Sequence, residues 1–457
     1  MIMMGEKFKL FYGFAVLVMV FTISINVSAF AEKNIEVELE VNDAVETALS
    51  DNPSLSEMKS RYQAFAEIPS QAGSLPDPTI NLNVMNLPTS DFSTSREGMT
   101  QRQIGFSQAF PFPGKLSLKK EASQYEAAAA SNDVDEVRLQ LIRGVKSTWW
   151  QVYFLDRSLK IVDNNLVLLR RFIKIAQTKY RVGKGLQQDV LLAQLELSKL
   201  LDQKIQLASL RINKAAELNT LMGREANIVI RLPEDVLLRL PNIMSNSALF
   251  EEARMSKPTL LRNRNFIKAA RARHKLARKG YYPDFKVGMN YGARSDGVSA
   301  AGTATDREDF ASVTFSLSVP LYARTKQTRE IYQRQHEFSQ SEFAKKDTYN
   351  SILSDITRAS SEYNRARDQF SLFKTGILPQ ARQTVKSMLS GYKVSQVDFL
   401  NLVKSQITLF NYEMKYWKAL AEANQSLASI EASVGTENIY KTVVKKSVKK
   451  QKKSNKK

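Results

Sequence analysis

Few side chains in this 457-residue sequence have the type and spacing for covalent or metal chemistry. Cysteine is absent and only two histidines occur, which removes disulfides, thiolate metal sites, cysteine nucleophiles and a lipid-modified N-terminal cysteine. His274 and His336 stand in helical stretches without His or Cys nearby, so exposed or packed helix positions outweigh a ligand role. Asp306, Glu308 and Asp309 share a polar stretch, where solvated charge is the expected state. Asp189 reads as a helix N-cap. The 18 glycines form no phosphate-binding fingerprint. The expectation is a protein that is not an enzyme, with no cofactor and no metal site.

Amphipathic strands are the chemistry the residues do support. Val313, Phe315, Leu317, Val319 and Leu321 alternate with Thr314, Ser316, Ser318 and Pro320, giving one apolar and one small polar face. Phe285, Val287, Met289 and Tyr291 alternate with Lys286, Gly288, Asn290 and Gly292 in the same way. A weaker pair runs through Ile80, Leu82 and Val84, then Ile104 and Phe106. Each segment is about ten residues, enough for a tilted strand to cross an outer membrane. An ordinary sandwich strand with a buried apolar face is the competing reading. Phe110, Phe112, Tyr281, Tyr282 and Tyr322 at the strand ends suit either a membrane boundary or a local core. Connections 88–101 and 293–309 are polar and expected to face outward.

The termini add context. Lys7 and Lys9 precede an apolar run over 10–27 and then Ser28-Ala29-Phe30-Ala31, so 1–31 reads as a cleaved signal peptide, with a retained anchor as the alternative. No other stretch suits a transmembrane helix, so in a membrane β-strands would do the spanning. Basic residues exceed acidic ones, 66 to 46, and residues 441–457 alone hold nine lysines and no acid. Such a block cannot pack, and a disordered tail is expected over 436–457. It could instead meet anionic lipid, peptidoglycan or nucleic acid; without interleaved aromatics no nucleic-acid partner is expected.

An internal duplication must position these strands. Pro76-Asp77 recurs as Pro283-Asp284, and Tyr180-Arg181-Val182-Gly183 as Tyr392-Lys393-Val394-Ser395. Asp189-Val190-Leu191 answers Asp398-Phe399-Leu400, which makes the second connection three residues shorter than the first. The copies are expected over 32–223 and 247–435, each in the order helix, strand, strand, long helix, helix, with an irregular connector at 224–246. Apolar residues spaced by threes and fours from Leu141 to Tyr180 predict one helix over 116–181, about 100 Å long. Helices over 43–74 and 188–222 would stack end to end beside it. The second copy repeats this with 247–281, 325–393 and 397–434, and Pro379 predicts a kink.

This layout resembles the TolC-like outer-membrane factors over roughly 40–435. The resemblance rests on the duplication, on Leu75-Pro76-Asp77-Pro78 before the first strand, on Phe110-Pro111-Phe112-Pro113-Gly114-Lys115 after the second, and on Tyr180-x-Val182-Gly183 with Asp189-Val190-Leu191-x-Ala193-Gln194. It implies a mainly α chain with transmembrane β: a homotrimeric twelve-stranded β-barrel in the outer membrane that continues as a periplasmic α-helical coiled-coil barrel. Four strands per chain are too few to close a barrel alone, and three chains resolve this. The lipid-facing residues would include Val313, Phe315, Leu317 and Val319. The turns at Val182-Gly183 and Val394-Ser395 would be the periplasmic tips that meet a membrane-fusion adaptor protein. Asp398, Asn401, Tyr392 and Asp189 would belong to the aperture, with Asn401 standing where the family carries a second aspartate. The implied function is a passive exit duct fed by an inner-membrane pump of the resistance-nodulation-division (RND) type. The Leu-Pro-Asp-Pro and Pro-Phe-Pro-Gly-Lys forms look most similar to the heavy-metal branch. The alternatives are the duct of a type I protein secretion system and an exported soluble coiled-coil scaffold without a pore.

Overall fold

Apolar periodicity decides where this chain is helical, and prolines decide where the helices are interrupted. The computed structural model describes residues 38–298 and 303–440. The expected signal peptide and the lysine block 441–457 lie outside the described residues. The chain divides into two units. The described part of the small one is 38–40 with Ile230–Asp235, joined where the Leu39 N–H donates to the Arg231 carbonyl at 2.8 Å. The large unit comprises the other described residues, 41–229 and from Val236 on.

In the first copy, helices α1 (Val41–Asp51) and α2 (Pro53–Gly73) precede strands β1 (Thr79–Met85) and β2 (Gln101–Phe110). Helices α3 (Lys115–Arg181) and α4 (Gln187–Leu221) complete it. The second copy has α5 (Asn246–Ser256), α6 (Pro258–Lys279) and β3 (Asp284–Arg294), then a short hairpin of β4 (Gly297–Val298) and β5 (Ala304–Thr305). It continues with β6 (Phe310–Ser318), α7 (Gln327–Leu372), a π-helical turn (Phe373–Ile377), α8 (Leu378–Lys393) and α9 (Phe399–Val434).

The single helices expected over 43–74 and 247–281 are each broken in two. Pro53 and Pro258 hold the first helical positions of α2 and α6, and the residues before them, Asn52 and Lys257, are extended. A proline ring clashes with a helical residue ahead of it, which forces this break. Pro379 behaves differently: the kink expected there takes the form of the π-turn just ahead of it. Widening that turn lets the helix continue past a residue that has no N–H to donate. The run from Gln327 to Lys393 therefore has the same 67 residues as α3.

Each break is a junction. Asn52 Oδ1 accepts from the Leu55 N–H at 3.1 Å, and its Nδ2 donates to the Leu221 carbonyl at 2.9 Å. Lys257 does the equivalent in the second copy, its Nζ donating to the Ala432 carbonyl at 2.8 Å and to Glu136 Oε1 at 2.7 Å. Gly223 and Gly435, at φ 71° and 92°, follow α4 and α9 and lie directly against these breaks.

Around α3 pack α2, α4, α6 and α9, while α7 packs on α6 and α9, and α8 on α9. Buried apolar positions of α3 such as Leu141, Val145, Val152, Leu155, Val162, Leu166 and Leu169 keep the spacing of threes and fours. Residues 436–440, assigned above to the disordered tail, are held in place instead. Ile439 is fully buried, its carbonyl accepts from the Met244 N–H at 2.9 Å, and Tyr440 bridges to Ile243.

Candidate functional site

Two regions at opposite ends of α3 carry the residues singled out above. A 67-residue helix is about 100 Å long, so the sheet and the helical turns are far apart.

The four long strands form one antiparallel sheet in the order β1-β2-β3-β6. Its register collects the apolar side chains on one face. Ile80, Phe106, Met289 and Val313 form one row across it, Leu82, Ile104 and Tyr291 a second, and Phe110, Phe285 and Leu317 a third. Asn81, Gly105, Asn290 and Ser312 form a row on the other face, next to Thr79, Ser107, Gly288 and Thr314. The apolar face lies open: Val313 is 80% exposed, Phe315 66%, Leu317 52%, and Val319, just past the strand, 57%. Every residue of β1 and of β6 is exposed. Among the described residues no strand pairs with the outer edge of either. The connections after β1 and within the second hairpin are tied together, Arg294 donating to the Gly98 carbonyl at 2.9 Å and Arg307 to the Ser95 carbonyl at 3.0 Å.

At the other end, the α3–α4 and α8–α9 connections are both five residues, 182–186 and 394–398. The expected three-residue difference is therefore not present. Gly183 at φ 70° and Ser395 at φ 61° make the same left-handed turn in the two copies. Leu186 is then the counterpart of Asp398, and Asp189 of Asn401. Asp189 is not the N-cap either. Leu186 holds that position in extended conformation, and Asp189, in the first turn, reaches back to its backbone N–H. An apolar residue at the cap position hid the helix start from sequence reading.

The two turns are joined by a residue that sequence reading missed. Lys179, in the last turn of α3, donates to the Tyr392 carbonyl and, at 2.9 Å, to Ser395 Oγ. Its ammonium also lies 4.3 Å from the Tyr392 ring centroid. A lysine in a helix's last turn is the only signal it gave, and it caps the C-terminus of the neighbouring hairpin rather than its own. Tyr392 is buried with its ring 5.2 Å from that of Phe399, and among the described residues its hydroxyl has no hydrogen-bond partner. Burial, with the Asp189 charge adding to it, pushes the Tyr392 phenol up to about 12. Burial also raises the Asp189 carboxyl above the usual carboxylate range, and the neighbouring Asp398 carboxyl adds to the rise, opposed by the Leu186 N–H and by Lys179. Asp189, Tyr392 and Asp398 are thus brought together from two hairpins. Asn401 is exposed in the first turn of α9, and Val182 and Val394 are exposed on the two turns.

Among the described residues, no helix is long and apolar enough to cross a membrane. The family described as outer membrane efflux protein matches residues 44–224 and 249–436. The cobalt-zinc-cadmium resistance protein CzcC of Cupriavidus metallidurans is 21% identical over 321 residues, 69% of this chain and 74% of its own. The outer-membrane channel OprN superposes with a TM-score of 0.73 at 16% identity, over 86% of this chain and 89% of its own. VceC from Vibrio cholerae gives 0.72 at 15% identity, over 87% and 96%. CusC gives 0.73 at 15% identity, over 90% and 96%. At such identities the structural likeness establishes the fold.

Proposed function

Because the chain belongs to the outer membrane efflux protein family and has the fold of TolC-like channels, we propose that it is the outer-membrane duct of a tripartite efflux assembly. Three chains close edge to edge, β1 of one against β6 of the next, into a twelve-stranded barrel. Their helices continue as a tunnel. The observation that carries this reading is the four-stranded sheet with two unpaired edges, one oily exposed face and one small polar face. A soluble protein would be expected to cover such a face, whereas lipid covers it in a closed barrel. A second open surface agrees. Helix α4 exposes Leu191, Leu195, Ile205 and Ile212, apolar area that a neighbouring subunit would cover.

The polar faces of three sheets then line the bore. The exposed turns at Val182-Gly183 and Val394-Ser395 meet a periplasmic adaptor, and an inner-membrane pump of the RND type delivers the cargo. The likeness to CzcC, a cobalt-zinc-cadmium resistance protein, favours heavy-metal cations as that cargo. No step here is chemical. The duct supplies a path and an aperture, with Asp189, Asp398 and Tyr392 at its narrow end.

Carboxylates ringing an aperture attract cations and slow their passage. In planar bilayers, Asp398→Ala should raise single-channel conductance and lessen block by multivalent cations. Asp398 makes no side-chain capping bond, so the substitution leaves α9 in place. Block should also deepen as pH rises through the raised Asp189 carboxyl, since that charge is complete only above it, and Asp189→Asn should remove this dependence. Unchanged conductance and block in Asp398→Ala would take that residue out of the aperture.

A further inference from the structure

Helix α6 carries five arginines and three lysines and no acid in its 22 residues. Its counterpart α2 holds Glu57, Lys59, Arg61 and Glu67 and is neutral. The shared fold therefore does not require this charge. Two of the eight are paired across to α3, Arg262 with Asp133 at 3.0 Å and Arg273 with Glu126. At the sheet end of α6, Lys275, Arg278 and Lys279 have no carboxylate partner among the described residues. Together with Gly114, Tyr281 and Tyr282 they line a cavity of about 640 Å³.

Three of its side chains have partners of their own. Lys279 Nζ lies 5.3 Å and 5.4 Å from the ring centroids of Phe112 and Tyr282, which stack on each other at 4.4 Å. The Tyr281 hydroxyl is hydrogen-bonded to Thr328 Oγ1 at 2.7 Å. Gly114 caps α3 with no side-chain bond, so the positive end of a 67-residue helix adds to the local potential. By the offset that relates Pro76-Asp77 to Pro283-Asp284, the first copy has Ile68, Gln71, Ala72, Ser74 and Leu75 in place of the two tyrosines and three cations. The basic and aromatic lining therefore belongs to the second copy alone.

We propose that this cavity holds the headgroup of an anionic phospholipid, its phosphate between Lys275, Arg278 and Lys279. The inference rests on the barrel reading above. On the apolar face, Phe315, Phe285 and Phe110 stand next to one another, with centroids 6.2 Å and 5.6 Å apart. Phe112 and Tyr282 follow directly at the helix side. Acyl chains lying on that face would bring a headgroup to the basic cluster, where aromatic and cationic residues together mark a membrane boundary.

The test uses the assembled full-length protein in vesicles of phosphatidylethanolamine with a minor fraction of phosphatidylglycerol. Lipids retained after mild detergent extraction are counted by mass spectrometry. The wild type should retain phosphatidylglycerol above its bulk fraction, and Lys275→Gln/Arg278→Gln should lose roughly fivefold of that preference per charge removed. Both side chains are exposed, so the variant should insert and assemble as the wild type does. Equal retention in wild type and variant overturns the proposal. So does displacement of the lipid by inorganic phosphate, which marks a site for soluble anions. A variant that changes only ion selectivity places the cations in the bore and overturns it as well. A wild type that inserts but shows no lipid preference removes this inference alone; one that does not insert removes the barrel reading with it.

Discussion

Gly435→Ala should destabilise the protein by about 3 kcal/mol or more, whereas Gly183→Ala should cost only about 1 kcal/mol. Both glycines are left-handed, at φ 92° and 70°, so both pay for adding a β-carbon to that conformation. Their surroundings differ. A Cβ at Gly435 would lie 2.8 Å from Lys257 Cα and 2.9 Å from the Ser256 carbonyl oxygen, whereas at Gly183, its chain neighbours aside, no described residue lies within 4 Å. The clash at Gly435 is with backbone, which cannot swing aside as a side chain can. Gly223 repeats the arrangement, its Cβ position 2.5 Å from the Asp51 carbonyl oxygen. Thermal denaturation followed by circular dichroism would rank the variants. Equal midpoints for Gly435→Ala and Gly183→Ala would mean that the junction yields.

The second large effect is at the same junction. Lys257 is 5% exposed, and its Nζ is 2.7 Å from Glu136 Oε1. Glu136 also accepts from Gln140 at 2.7 Å and from Thr259 at 2.8 Å. Lys257→Met leaves the carboxylate without its cation, and removing one partner of a buried pair typically costs about 3–5 kcal/mol. Replacing both, Lys257→Met with Glu136→Met, should recover much of that loss. Burial pushes the Glu136 carboxyl up, but Lys257, with Gln140 and Thr259, outweighs it and holds the group below its usual range. Its contribution in the wild type is therefore present above the ordinary glutamate pKa and is lost as pH falls through the lowered one. In Lys257→Met burial is opposed only by Gln140 and Thr259 and the attraction of the cation is gone, so acid should narrow the gap to the wild type. Denaturation midpoints against pH would show converging curves; parallel curves would mean that the pair contributes little.

What the sequence revealed follows from which interactions are local. Strand alternation from Phe285 to Tyr291 and from Val313 to Leu317 predicts the two faces, because each side chain's direction depends only on its own strand. Helix α3 shows through its spacing for the same reason. The breaks at Asn52 and Lys257 were also visible, since Pro53 and Pro258 occupy matching places, but the apolar period running through them masked the interruption. Asp189 lies in the first turn of α4 rather than at its cap because Leu186, with no capping side chain, holds the N-cap position. Lys179 shows in the sequence only as a basic residue in a helix's last turn, and the Lys257–Glu136 pair does not show at all. Their partners lie 213 and 121 residues away, and nothing local distinguishes these lysines from solvated ones.

In the closed barrel β1 of one chain pairs with β6 of the next, and the lack of cysteine in the sequence allows a clean test. Asn81 on β1 and Ser312, Thr314 and Ser316 on β6 share the polar face at the two outer edges. Within one chain these edges are three strand spacings apart, about 14 Å, too far for a disulfide. Asn81→Cys combined in turn with Ser312→Cys, Thr314→Cys and Ser316→Cys, oxidised in membranes, should give a covalent trimer on a non-reducing gel for at least one pair. Monomer for every pair, or a ladder running past the trimer, would contradict the closed barrel.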